Sequence, residues 1–370
     1  MKNPIQVEPI TTWKHYKQRP LIVAGPCSAE SEEQVMQTAR QLLAGGKVDV
    51  YRAGVWKPRT RPGMFEGMGS VSLPWLKRVK EETGLGIAIE VANAKHVYEA
   101  LKFGVDYLWI GARSSANPFV VQEIAETLQG SDVTVLIKNP VNPDLELWVG
   151  AVERILQAGI TKIGAIHRGF SSYEKTAYRN IPHWLLPIEL KQRIENLPVI
   201  CDPSHICGNR KMILEVSQKA MDLNFDGLMI ESHVDPSVAL SDAAQQVTPQ
   251  ALFNILERIV LRNPDSSDSS FLSVLEELRG RIDIFDEQLI EILEKRMNVA
   301  RNIAIYKKEN NITILQTKRW TEIVQKNVSL GEKKGLSNFF VNEMLKLIHQ
   351  ESINHQNKVM NEAVVKNLEV

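Results

Sequence analysis

The chain has 370 residues, 44% of them hydrophobic and 24% charged, a composition close to that of soluble globular proteins that excludes wholesale disorder. Its 44 Lys and Arg balance 44 Asp and Glu, so the basic excess needed to coat a polyanion is missing and nucleic acid is not expected as a partner. No apolar run approaches the ~18 residues of a membrane span, MKNPIQVEPITTWKHYKQRP lacks the apolar core of a signal peptide, and three cysteines cannot build a disulfide framework, so a cytoplasmic protein without a membrane partner is expected.

The length suits one barrel-sized domain with a smaller one, or two to three modest ones. Eight short apolar runs follow in order: LIVAGPC (21–27), VDVYRAGV (48–55), GIAIEVAN (86–93), YLWIGAR (107–113), TVLIKNP (134–140), KIGAIHRG (162–169), PVICDPSH (198–205) and GLMIESHV (227–234). Near-continuous apolar runs, as opposed to alternating ones, mark strands buried on both faces, as in parallel sheets. Eight of them with intervening helices over about 250 residues predict a (β/α)8 TIM barrel across residues 1–262. A doubly wound sheet is the competing architecture, but no GxGxxG follows the first run. The polar stretch RNPDSSDSS ends the pattern, and a linker is placed at 263–270.

Residues 271–370 are predicted to be all-α, with three helices. From 271 to about 310 the chain has no Pro and one Gly, and Leu275, Leu278, Ile282, Phe285, Leu289, Ile292, Val299 and Ile303 mark an amphipathic helix with a seam for a partner helix. A shorter helix is placed at about 315–328, GEKKG as a loop, and a third helix from about 336 to beyond 358. Three such helices are too thin to fill a core, so a homodimer or larger assembly through this part is expected.

Chemistry in such a barrel sits where the strands end. The eight mouths offer Cys27, Arg52, Glu90, Arg113, Lys138, His167 with Arg168, Asp202 with His205, and Glu231 with His233. Singly, each has a plainer reading: a buried structural thiol, a turn cap, a solvated cation. Agreement at all eight marks a site. Cys27, His205, Glu231 and Asp242 offer thiolate, imidazole and carboxylate, a donor set for a divalent ion of the Mn, Fe, Co or Zn type. Arg52, Lys57, Arg59, Arg113, Lys138 and Arg168 gather around the same mouth, pointing to substrates with phosphate and carboxylate groups.

These segments resemble a known family. Gly25-Pro26-Cys27-Ser28, the run Arg52-Ala53-Gly54-Val55-Trp56-Lys57-Pro58-Arg59-Thr60, Ile110-Gly111-Ala112-Arg113, Lys138-Asn139-Pro140, Asp202-Pro203-Ser204-His205 and Ser241-Asp242-Ala243-Ala244-Gln245-Gln246 are similar to class I, β-type 3-deoxy-D-arabino-heptulosonate-7-phosphate (DAHP) synthases. The resemblance covers about residues 15–262 and implies condensation of phosphoenolpyruvate with erythrose 4-phosphate. It implies that Cys27, His205, Glu231 and Asp242 bind the metal and that Arg52, Arg113, Lys138 and Arg168 hold phosphoenolpyruvate. Lys57 would protonate the developing alkoxide, Arg59 and Thr60 would take the tetrose phosphate and hydroxyl, and Glu90 would orient Lys138 or the water. The related 3-deoxy-D-manno-octulosonate-8-phosphate synthases are the alternative. They carry Lys-Ala-Asn-Arg-Ser-Ser where this chain has Lys57-Pro58-Arg59-Thr60, and the Pro-Arg-Thr version favours the four-carbon sugar.

The helical part holds one anomaly. The apolar seam through Ile282, Phe285, Leu289 and Ile292 arrives at Arg296, a costly position for a cation unless an anion meets it. Lys307, eleven residues on, lies within roughly 20° on the helical wheel. Arg279 is rotated off that line and could serve another copy of the site, while Ser352 and Gln356 share a face of the third helix. Periodicity alone fits an ordinary charged coiled-coil helix equally well. The segment LRGRIDIFDEQLIEILEKRMNVARNIAIYKKEN, together with HQESINHQ, resembles the all-α chorismate mutases over about residues 271–360. By that likeness Arg279 of the partner chain, Arg296 and Arg319 bind the carboxylates of chorismate with help from Ser352. Lys307 and Gln356 hydrogen-bond the ether oxygen as the substrate rearranges to prephenate. Gln316 and Trp320 depart from the family pattern, which has acidic residues there. The alternatives are a regulatory module that binds chorismate or prephenate, with allosteric coupling to the barrel, and a purely structural dimerisation hairpin.

Overall fold

The computed structural model describes residues 6–57, 63–173, 176–315 and 317–365; Arg59, Thr60 and Gln316 lie outside the described residues. The chain divides into two compact units at Pro264/Asp265.

In the first unit, eight parallel strands close into a barrel. They are β1 (Leu21–Gly25), β2 (Val50–Arg52), β3 (Gly86–Val91), β4 (Tyr107–Ile110), β5 (Thr134–Lys138), β6 (Ile163–His167), β7 (Val199–Cys201) and β8 (Gly227–Glu231). β1 pairs with both β2 and β8, which removes every free edge. All strand residues are buried except Glu90, which is intermediate. This is the two-sided burial that the near-continuous apolar runs demanded. Each strand is shorter than its apolar run; after β3, β4 and β7 the last run residues leave the ladder to cap or start a helix. Asn93, Asn117, Asp144, Asp202 and Thr248 each accept a backbone N–H of the helix they precede, supplying the caps that helix starts need.

Side chains two apart on a strand share a face, and this period builds the interior in layers. Val50, Ala88, Tyr107, Trp109, Leu136, Ile166, Ile200 and Met229 form an apolar cluster inside the barrel. Two residues further along their strands stand Arg52, Glu90, Lys138, Arg168, Asp202 and Glu231. A charged layer therefore rests directly on an apolar one. At the opposite end, Ile10 and Trp13 join the same apolar cluster, and Trp13 is only 2% exposed. Each Val, Leu or Ile so buried contributes about 1.5–3 kcal/mol, which offsets the cost of collecting charge at the other end.

The second unit consists of helices Ser269–Glu309, Thr317–Lys333 and Asn338–Val365. The first begins inside the stretch expected to be linker, because Asp268 accepts the N–H groups of Ser270 and Phe271 and caps it. The second runs into GEKKG as far as Lys333, so only the end of that segment turns, at Gly335. Within one chain, burial on the first helix is confined to Met297, Ala300 and Ala304. Leu278, Ile282, Phe285, Leu289 and Ile292 stay 47–61% exposed. Their spacing of 4, 3, 4 and 3 is the heptad seam of a helix that packs against another. Among the described residues no helix is long and apolar enough to cross a membrane.

Candidate active sites

At the barrel mouth, Cys27 follows β1 and is fully buried. Its Sγ accepts from Lys57 Nζ at 2.9 Å and lies 3.4 Å from Asp242 Oδ2. Burial, reinforced by the nearby Glu231 carboxylate, pushes the thiol up to about 12 against the opposing pull of Lys57. Lys57 is displaced the other way from what burial alone would do: Cys27, Glu231 and Glu90 outweigh desolvation and raise it. Glu231 is fully buried, and its Oε1 lies 3.3 Å from Arg52 Nη2 and 3.7 Å from His205 Nε2. Burial drives its pKa up, but His205, Arg52 and Lys57 together hold the carboxyl below its usual range.

The donor set fits a divalent first-row ion. One ligand atom each from Cys27, Glu231 and Asp242 falls within a 4.8 Å cluster. Glu231 Oε1 is buried with no hydrogen-bond partner among the described residues. His205 Nδ1 lies 2.7 Å from Asp202 Oδ2, which leaves Nε2 facing Glu231. Fixing one imidazole nitrogen on a carboxylate aims the other at a metal.

Asp202 also accepts Lys138 Nζ at 3.0 Å, so one buried carboxylate ties the ligand group to the anion-binding group. Burial pushes the Asp202 carboxyl up, but His205 and Lys138 win and hold it well below the carboxylate range. Arg52 is 1% exposed, and its Nε and Nη1 are buried without a hydrogen-bond partner among the described residues. Two unanswered N–H positions on a buried guanidinium are a seat for an anion. Arg168 donates to Asn180 Oδ1 at 2.8 Å. Burial, with Arg179 and Arg113 nearby, lowers it to about 10 despite Asp202. Arg113 sits on the short helix Ala112–Ser115 past the end of β4, because the ladder with β5 stops at Ile110. Gly111, just before it, has no room for a side chain: a Cβ there would stand 2.0 Å from Glu90 Oε1.

Several supporting residues carry no role in the sequence reading. Gln245 Nε2 donates to Glu231 Oε2 at 2.6 Å, and Gln246 Oε1 accepts the Cys27 N–H at 2.9 Å. Arg179 binds both Asp242 Oδ1 and Gln245 Oε1. Arg210 holds the same loop through the carbonyls of Ala243 and Gln246. The two glutamines end the quoted Ser241–Gln246 motif, so their place in it was the available signal; Arg179 and Arg210 lie in loops without one.

In the helical unit, Arg296 donates to Ser352 Oγ, which in turn donates to Ile348 O at 2.7 Å. Burial lowers the Arg296 pKa. Gln356 is 8% exposed with no partner for its Oε1 among the described residues. Lys307 Nζ meets the carbonyl of Ile314 at 2.5 Å. Trp320 stacks on His349, with ring centroids 4.1 Å apart. Arg319 pairs with Glu322 at 3.1 Å and Arg279 with Glu276 at 4.0 Å, both on the surface. Arg279 precedes Arg296 by 17 residues on one helix, about 25 Å along its axis, so the two cannot share a small ligand within one chain.

Fold and site together define a (β/α)8 barrel with buried cations and a metal-fitting cluster at its mouth, followed by an all-α unit in which Arg296 meets Ser352. Residues 6–260 match the model of the DAHP synthetase I family, and the chain belongs to that family. Residues 278–357 match chorismate mutase type II. The first is a family of transferases and the second of isomerases, and both resemblances seen in the sequence are borne out. A phospho-2-dehydro-3-deoxyheptonate aldolase of Thermotoga maritima is 31% identical over 226 residues, covering 61% of this chain and 64% of that protein. The crystal structure of the Thermotoga maritima DAHP synthase superposes with a TM-score of 0.59 at 30% identity, over 64% of this chain and 67% of that one. A 2-dehydro-3-deoxyphosphooctonate aldolase of Wolinella succinogenes is 25% identical, over 65% of this chain and 98% of that protein. This chain thus spans less than two thirds of the Thermotoga protein it matches.

Proposed function

We propose that the chain is a bifunctional enzyme whose barrel condenses phosphoenolpyruvate with erythrose 4-phosphate and whose helical unit rearranges chorismate to prephenate. The observation that carries the first half is the layered mouth: a buried Arg52 with open N–H positions beside Lys138, Arg168 and a thiol–carboxylate cluster. Arg52, Arg113, Lys138 and Arg168 hold the phosphate and carboxylate of phosphoenolpyruvate, which places its carbon 3 against the aldehyde. Cys27, His205, Glu231 and Asp242 would hold a divalent ion, and such an ion would contribute Lewis-acid polarisation of that aldehyde. Lys57, against Cys27 and facing the cleft, delivers its proton to the aldehyde oxygen as the carbon–carbon bond forms. Water then adds at carbon 2 and phosphate departs by C–O cleavage. Arg59 and Thr60 are assigned to the tetrose phosphate and hydroxyl by their motif. The four-carbon acceptor is supported by that motif and by the higher identity to the heptonate relative than to the octonate relative.

In the helical unit, Arg296 and Arg319 with Ser352 bind the chorismate carboxylates, while Lys307 and Gln356 meet the ether oxygen. Arg279 reaches this site from a second copy, through the exposed heptad seam, so the active form is a homodimer. No nucleophile is required; binding one conformer and stabilising the developing charge suffice. Three buried free cysteines suit a cytoplasmic setting. The test is turnover by the intact chain with three substrates. Loss of phosphoenolpyruvate with erythrose 4-phosphate, and loss of chorismate, support the reading. Turnover with arabinose 5-phosphate in place of erythrose 4-phosphate assigns the barrel to the octulosonate reaction instead. Prephenate binding without chorismate loss assigns the helices to regulation.

A further inference from the structure

The charged layer of the barrel rests on one aromatic side chain to which no motif assigns a role. Trp109 on β4 is fully buried within the interior apolar cluster. The Arg52 guanidinium carbon lies 4.8 Å from its ring centroid and the Lys138 ammonium 5.8 Å from it. Both fall inside the ~6 Å range of a cation–π contact. The indole Nε1 donates to Glu90 Oε2 at 3.0 Å, and Glu90 is its direct partner across the β3–β4 ladder. Charged residues from β2, β3 and β5 therefore converge on a single ring.

A buried cation needs compensation, and the kind of compensation decides what it can still do. Arg52 has one carboxylate, on Nη2, while its Nε and Nη1 stay open. A second carboxylate beneath it would occupy those donors and repel an anionic substrate. An aliphatic floor would leave the cation free to fold down toward Glu231. The face of an indole attracts the cation through its quadrupole and uses none of its N–H groups.

We propose that Trp109 is a positioning residue of the phosphoenolpyruvate subsite: its ring seats Arg52 and Lys138, and its Nε1 aims Glu90, so that both cations present donors to the incoming phosphate and carboxylate. This role rests on the synthase reading above. Two substitutions separate its parts. Trp109→Leu keeps an apolar but smaller side chain and removes the π face; Trp109→Phe keeps an aromatic face and removes the bond to Glu90.

The test is calorimetric titration of phosphoenolpyruvate into metal-free full-length protein, with steady-state constants measured in parallel. Trp109→Leu weakens phosphoenolpyruvate binding about tenfold or more, the combined effect of two desolvated cation–π contacts. It raises KM for phosphoenolpyruvate and moves KM for erythrose 4-phosphate by less than about twofold, because the second substrate does not rely on these cations. Trp109→Phe stays within roughly threefold of wild type in phosphoenolpyruvate affinity. Unchanged affinity in Trp109→Leu overturns the role, as does an equal rise in both KM values, which would mark simple packing. Should Trp109→Leu not fold, Trp109→Met, apolar and without a π face, replaces it: unchanged phosphoenolpyruvate affinity there overturns the role. Wild-type protein that binds no phosphoenolpyruvate contradicts the synthase reading itself and removes this role with it, whereas wild-type binding matched by Trp109→Leu contradicts the role alone.

Discussion

Arg52 in the barrel is 1% exposed and faces a carboxylate that is fully buried, whereas the Arg319 side chain in the helical unit is 68% exposed and pairs with Glu322 on its own helix. In the proposed reading both units gather cations for small anions, yet one finishes its site within a single chain. Eight strand ends converge in a barrel, so Arg52 on β2 meets Glu231 on β8, and Lys138 on β5 meets Asp202 just past β7. A helix spreads its charges along a rod. Arg279 and Arg296 are about 25 Å apart on one helix, so a site that uses both, as proposed, needs a second copy. A closed sheet can build a pocket alone; in the proposed reading a thin helical unit borrows one.

The largest effect is expected where the barrel's cluster loses a ligand. Cys27→Ala or Glu231→Ala lowers affinity for a divalent ion by at least about 100-fold, more than the loss of an outer-shell partner would. Metal content measured by mass spectrometry, alongside both activities, checks this: synthase turnover disappears and mutase turnover stays. Loss of both would erase the contrast between a self-contained site and an independent one.

Lys307→Ala is expected to lower mutase kcat by about 100- to 1,000-fold, the usual cost of removing one preorganised donor from developing charge. Synthase constants in the same variant stay at wild-type values. A regulatory or purely structural role for the helices would leave chorismate chemistry absent before and after the change.

Phe285→Asp tests the borrowed half directly. A carboxylate in an apolar seam costs a few kcal/mol, so association weakens by roughly tenfold or more. Sedimentation velocity should show dimers of the helical unit dissociating at lower concentration, with mutase activity falling in step. Mutase activity that persists in the monomer would place the whole site in one chain.

The smallest effect concerns His167, packed among Phe170, Trp184 and Phe225 behind the mouth. Burial, reinforced by Arg168, lowers its pKa from 6.5 to about 3. Above pH 6.5 both folded and unfolded states are neutral there. As pH falls from 6.5 toward 3, the unfolded chain takes up a proton that the folded one refuses, so stability is lost. In His167→Leu the fall in Tm between pH 7 and 5 should be shallower by about 2–4 °C than in wild type. Parallel acid limbs would contradict a neutral buried imidazole.

Much of the barrel was legible because two-sided burial writes strands as unbroken apolar runs, and all eight observed strands lie inside the predicted runs. Their ends were less legible: Arg113 looks like a strand terminus in YLWIGAR, but the helical turn Ala112–Ser115 claims it. The Asp268 cap likewise starts a helix inside a stretch whose composition reads as linker. Site chemistry was legible wherever a motif advertised it, as with Cys27 or His205. Trp109 was hidden for a different reason, and Asp202, although named at the mouth, was given no role. An aromatic within an apolar run reads as packing, and the carboxylate beside His205 reads as a helix cap, which it also is. Only the fold shows that the first underlies two cations and that the second joins His205 to Lys138.

The most direct test of two separate sites is one preparation of intact chain, assayed for both reactions during titration with a metal chelator. The predicted result is that phosphoenolpyruvate consumption with erythrose 4-phosphate stops and returns when a divalent ion is restored, while chorismate loss continues throughout. Chorismate loss that stops together with phosphoenolpyruvate consumption, or phosphoenolpyruvate consumption that ignores the chelator, would contradict it.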